Sequence, residues 1–168
     1  MYAIILAALS GIGHPPLTAE IHARIHLAAV TEAIRDEIDD GIEATITQDI
    51  DRYMATVPVD YRIAGDDGST VDREALRAEQ LRAWALIRRT NALSIDIERV
   101  EPGCDGQCAR VWTNQRWDRQ MIGRDGVSEH HVVTTQRHIE QWEVRDSRWI
   151  NVAIEELGGT TMVDGTPY

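Results

Sequence analysis

His138 and Glu140 are the residues of this chain whose types and spacing most directly suggest chemistry. They stand two apart in the run His130 to Val144, which reads as a long strand, so both side chains fall on one face. An imidazole that titrates near neutral pH beside a carboxylate is a general acid–base arrangement. The same pair reads equally well as two polar groups on a solvated sheet face. Thr134, Gln136 and Trp142 share their parity. The other histidines are less suggestive. His130 and His131 are adjacent, so a regular strand points them to opposite faces and they cannot ligate one metal. His22 and His26 have the one-turn spacing of helical metal ligands, but no glutamate completes a metalloprotease motif. No metal set and no cofactor motif is expected.

Cys104 and Cys108 flank Asp105-Gly106-Gln107 between two strand-like runs. A small disulfide across a hairpin mouth and a pair of free thiols are both open readings. A redox motif would have two intervening residues rather than three, and a zinc site would need two more ligands. Closing so short a loop would contribute only about 2 kcal/mol. A disulfide would agree with an oxidising compartment.

The elements that must position these residues follow from periodicity. Val30, Ile34, Ile38, Ile42 and Ile46 recur every four positions among acidic residues, which predicts an amphipathic helix over 30–47, with 18–29 extending it or forming a separate turn. Thr47 and Asp49 suit the N-cap of a second helix carrying Ile50, Tyr53 and Met54, which Pro58 stops. Val57 to Ile63 reads as a short strand. After the turn composition of residues 64–68, Ser69 with Asp72 offers a capping box for a helix running to Arg89, buried on more than one side. From Leu93 the period becomes two, and strands are expected around 93–98, 109–117, 130–144 and 149–157. Gly123 to Gly126 and Arg145 to Ser147 supply reversals, so the strands form an antiparallel meander. Helices first and a meander second predict an α+β domain with the helices on one sheet face.

Composition bounds the rest. A chain of 168 residues with 43% hydrophobic content carries one core. Its formal net charge of −11 argues against nucleic acid and anionic membrane as partners. Tyr2 to Leu9 is an apolar run too short to span a bilayer, and small residues end at Ala19. Residues 1–19 therefore read as a signal peptide or a flexible N-terminal segment. Export to a periplasmic or extracellular compartment is expected, with a cytoplasmic chain as the alternative, because no Arg or Lys precedes the run. Residues 20–160 form the domain and 161–168 a tail.

This order of elements resembles the nuclear transport factor 2-like superfamily, in its SnoaL-like and ketosteroid-isomerase-like branch. The resemblance rests on Ala33 to Arg35 with Thr47 to Tyr53, on Gly68 to Ala78, and on Trp142-Glu143-Val144-Arg145-Asp146-Ser147-Arg148-Trp149, and covers roughly Val30 to Leu157. It implies a single cone-shaped domain, a cystatin-like roll with N-terminal helices packed in the concave face of a curved antiparallel sheet. It implies a pocket for a small apolar or aromatic molecule, used for isomerase-, cyclase- or hydrolase-like proton transfer or for binding alone, and a homodimer formed through the exposed sheet face. Glu140 falls where the isomerases place an acid that hydrogen-bonds the substrate oxyanion, and such a carboxyl can be held neutral as a donor. Val111, Thr113, Gln115 and Trp117, with Ile150, Val152 and Ile154, would point the same way, and Tyr53 and Trp84 would close the wall from the helices. Two departures matter. The isomerases' catalytic tyrosine falls near Gly41, and their general base falls near Asp60, which is two or three residues out of register.

Overall fold

The computed structural model describes residues 17–64 and 70–168. The recurring apolar residues build one long helix, α1 (Leu17–Thr47). Val30, Ile34 and Ile38 are its buried face. A four-residue repeat overshoots the 3.6-residue turn by about 40° per step, so a stripe spaced this way rotates around the helix. Ile46, expected in the stripe, is accordingly turned out and 46% exposed, and Ala44 takes the buried position. Asp49 caps α2 (Ile50–Ala55) by accepting from the backbone N–H groups of Asp51 and Arg52.

Three expectations for the middle of the chain are corrected. Val57 to Tyr61 turn, with the Tyr61 N–H donating to the Pro58 carbonyl. Only Arg62–Ala64 is extended, as β1, and it pairs with β2 (Thr70–Asp72) outside the main sheet. Helix α3 (Arg73–Trp84) is capped by Asp72 itself, whose side chain accepts from the Ala75 N–H; Ser69 lies outside the described residues. A strand pair therefore occupies the place expected for the first turn of the helix. Trp84 alone is buried along α3, while Ala75 and Leu81 face solvent. The helix leans on α2 with one side, so its broad apolar spread is not used.

The chain then runs through a meander: β3 (Ile87–Gly103), β4 (Cys108–Ile122), β5 (Glu129–Arg145), β6 (Arg148–Val163) and β7 (Thr166–Pro167), antiparallel in that order. β3 begins six residues before the Leu93 alternation, directly after α3. Register shifts leave Arg88, Asn91 and Glu98 as extra residues on β3, and Val152 and Leu157 as extra residues on β6. Extra residues on a strand bend it and increase its twist. The flanking strands are thus longer than the β4–β5 ladder between them, and the sheet curves. α1 lies against β3 and β6, and its Val30, Ile34 and Ile38 meet Ala109, Val111 and Trp142 in the core. On the opposite face Arg99 stacks over Trp112, 3.6 Å from the ring centre.

The hairpin tips are tied locally. Cys104 and Cys108 are joined as a disulfide across the β3–β4 reversal. The expected export segment lies outside the described residues apart from Leu17–Ala19, which belong to α1. Among the described residues no helix is long and apolar enough to cross a membrane.

In the β4–β5 reversal Asp125 Oδ1 accepts from the Val127 and Ser128 N–H groups and from the Ser128 hydroxyl, at 2.8–2.9 Å. Those backbone donors first, and the hydroxyl second, pull the Asp125 carboxyl down from 3.8 to about 2. A depressed carboxyl contributes stability above its unfolded value and loses it as pH falls through the folded one. Asp125→Ala should therefore lower the melting temperature at pH 7. The difference from the parent should shrink between about pH 4 and pH 2 and vanish below, as melts across that range would read.

Candidate functional site

Between α1, α2, α3 and the concave sheet face lies a cavity of about 410 Å³. The strands supply its floor through alternation. Leu93 and Ile95 of β3 pair with Trp117 and Gln115 of β4, and these four side chains share the inner face. On β5 the same parity brings His138, Glu140 and Trp142 to the cavity. α1 contributes Glu37, Ile38, Gly41 and Ile42, and the α2 side contributes Tyr53 and Tyr61.

Glu140 is the most constrained polar group of the site, only 5% exposed. Its Oε1 accepts from the Thr113 hydroxyl at 2.7 Å. Its Oε2 accepts from Trp142 Nε1 at 2.8 Å and from Asn151 Nδ2 at 3.1 Å. The donors come from β4, β5 and β6, and each is neutral. An indole N–H and an amide N–H can only donate, so the oxygen that receives both carries no proton. At Oε2 the carboxyl is therefore held as an acceptor. A proton on this carboxyl, as the isomerase resemblance implies, has its place on Oε1, facing the Thr113 hydroxyl.

His138 lies directly opposite Thr113 in the β4–β5 ladder and borders the cavity. Its imidazole has no hydrogen-bond partner among the described residues. Tyr53 stands edge-on to Trp84, with ring centres 5.6 Å apart and planes at 75°. Burial first, and Tyr61 second, push the Tyr53 phenol above its usual range, so it stays protonated. Tyr61 is likewise raised, by burial and then by Glu79.

The remaining expected residues divide. Gln115, Trp117 and Trp142 border the cavity as expected. Thr113 is buried behind it and serves Glu140, and Val111 belongs to the core. Trp84 backs Tyr53 and does not reach the cavity wall. Gln136 and Thr134 lie further along the sheet, in a separate shallow groove with Glu156 and Tyr168. Asp60 is not in the cavity: its side chain is 73% exposed and accepts from Arg145 Nη1 at 2.9 Å. Strand β1 starts after it, so no strand carries Asp60 inward. On β6 the expected inward set was Ile150, Val152 and Ile154. The bulge at Val152 resets the parity, so Ile154 stays opposite Glu140 while Asn151 comes opposite Trp142. Asn151 and Trp149 border the cavity in place of Ile150.

Two further residues escaped periodicity. Glu37 sits beside the apolar stripe of α1 and reaches the cavity rim, held by Arg148 Nε at 3.1 Å. Gly41, one turn later, borders the cavity with nothing within 4 Å of the position a Cβ would take. A mid-helix glycine costs about 0.5–1 kcal/mol relative to alanine. Here it leaves open the space where the resemblance places a catalytic tyrosine.

No protein-family model and no curated protein matches this sequence. Solved structures do match its shape. A candidate scytalone dehydratase from Novosphingobium aromaticivorans superposes with a TM-score of 0.66 at 13% identity, over 83% of this chain and 90% of that one. A type 2 hexachlorocyclohexane dehydrochlorinase, LinA, gives 0.62 at 13% identity, over 83% and 93%. A nuclear transport factor 2-like protein from Cytophaga hutchinsonii gives 0.55 at 17% identity, over 75% and 95%. At these identities the likeness is one of fold, and the chain has the nuclear transport factor 2-like α+β cone.

The saturation of Glu140 makes a prediction about two substitutions. In Glu140→Gln the amide oxygen can keep both Oε2 donors, and its NH2 group can donate to a reversed Thr113 hydroxyl. Stability should change by less than about 1 kcal/mol. Glu140→Ala strands two buried donors, Thr113 and Trp142, and a half-buried one, Asn151, and should cost about 3 kcal/mol or more. Urea denaturation of the two variants checks the ordering; equal stabilities would show that the carboxylate is not holding the three strands.

Proposed function

We propose that this protein binds a small apolar or aromatic molecule in the cone and moves a proton on it, with His138 as the acid–base group. The observation that carries this reading is an imidazole in an apolar, aromatic-walled cavity, two residues from a carboxylate that the wall fully orients. Such a histidine suits general base work near neutral pH. Glu140, with its proton-free oxygen committed to Trp142 and Asn151, acts through its charge, stabilising positive charge on His138 or on the ligand. Two of the structural neighbours carry names that describe removal of water and of hydrogen chloride. Eliminations of that kind begin with, or include, proton removal from carbon, and the same step would serve an isomerisation. The absence of a side chain at Gly41 argues against an oxyanion partner of the ketosteroid-isomerase type.

Beta-tetralone is a suitable probe, being apolar, aromatic and acidic beside its carbonyl. In deuterated buffer the protein should speed exchange of those hydrogens above the buffer rate, read by mass spectrometry. His138→Gln should return exchange to the buffer rate while calorimetry still shows binding. Gly41→Leu, which extends a side chain into the open space of the cavity, should abolish binding with the fold intact. Bound tetralone that exchanges no faster than in buffer would favour the second reading, a ligand-binding module without catalysis. Binding untouched by Gly41→Leu would remove the cavity from both.

A further inference from the structure

The wall of the cavity is electrically one-sided. Among the described residues it contains two carboxylates, Glu37 and Glu140, one imidazole, His138, and no arginine or lysine, although the chain has seventeen basic residues. The nearby guanidinium groups are committed elsewhere. Arg148 pairs with Glu37. Arg145 pairs with Asp60 and Glu143. Arg35 Nη1 donates to the Ile95 carbonyl. Arg119 stacks on Trp117, 4.3 Å from the ring centre, and donates to Thr134 without joining the wall. Glu37 is thus neutralised at the rim, whereas every donor to Glu140 is neutral. A carboxylate offers about four acceptor positions, and three are filled from the wall. One is left on a group that borders the cavity. The same cavity is lined by Tyr53, Tyr61, Trp117, Trp142 and Trp149.

An aromatic enclosure with one uncompensated buried carboxylate has a definite chemical preference. Ring faces attract cations, more strongly where water is excluded. The low-dielectric wall strengthens the pull of Glu140, and the net charge of −11 adds a background of the same sign. A carboxylate or phosphate ligand would meet repulsion with no arginine or lysine in the wall, and only the His138 imidazole, to offset it. We propose that the molecule this cavity takes is an organic cation, an apolar or aromatic amine protonated at neutral pH. Its ammonium group fills the open acceptor position of Glu140 and its hydrocarbon body lies among the tryptophan rings. This inference rests on the reading of the cavity as a small-molecule site and specifies the charge of its occupant.

Three probes of one shape test it: naphthylmethylamine, naphthylmethanol and naphthoate, titrated by calorimetry at neutral pH and low salt. The amine should bind at least about tenfold tighter than the alcohol, and the naphthoate weakest of the three. In Glu140→Gln the amine and alcohol should converge to within about twofold, because the alcohol's contacts are unchanged and the charge is gone. Folding of that variant is checked by its denaturation curve, and the comparison within the parent protein decides the matter if it does not fold. Alcohol bound as tightly as amine would overturn the cationic assignment and leave the small-molecule reading standing. A preference that survives Glu140→Gln would overturn the role of that carboxylate. Failure of all three probes to bind would remove the cavity reading and this inference with it.

Discussion

A carboxylate taken out of water must be satisfied on the spot, and Glu140 is the point at which this fold meets that demand. Its two oxygens collect Thr113 from β4, Trp142 from β5 and Asn151 from β6, so three strands are fixed relative to one another by one side chain. Trp142 does double service, donating to Glu140 while its ring packs against the buried valine and isoleucines of α1. The polar floor of the cavity and the apolar core beneath the helix are therefore parts of one assembly. Loosening either would loosen the other, since Ile38, Ile42, Ile95, Trp142 and Trp149 belong to both.

Much of this was legible in the sequence, and the parts that were not have definite physical reasons. The switch from a four-residue to a two-residue period places α1 and the meander correctly, because burial on one face leaves that mark in any amphipathic element. His138, Glu140, Trp142, Gln115 and Trp117 follow from strand parity alone. Parity fails wherever an extra residue enters a strand, and a bulge leaves no compositional trace at Val152. Asn151 was invisible for that reason. Glu37 was hidden because a charged residue beside an apolar stripe ordinarily belongs to the solvent face, and only the tertiary position of Arg148 shows otherwise. Asp60 was drawn in by resemblance, and the late start of β1 leaves it outside.

The cavity also shows why a shared cone need not mean a shared reaction. The scaffold supplies a curved sheet, a covering helix and a space between them. The chemistry is written by the few side chains that point into that space. Here the wall carries an oriented carboxylate, an imidazole and a vacancy at Gly41. Each of the three sits on a different structural footing: the first on side-chain donors from three strands, the second on strand alternation, the third on a helix that tolerates a poor helix former.

The extra residue at Val152 has one more consequence. The pairs on either side of it, Gln141 with Ala153 and Trp142 with Asn151, are consecutive on β5 and separated on β6 by this one unpaired residue. Loss of Val152 would close the bulge and straighten β6 while keeping Asn151 opposite Trp142 and Ile154 opposite Glu140. The fold thus contains a position where the chain can change its length by one residue, and β6 its curvature, while the same side chains go on facing the cavity.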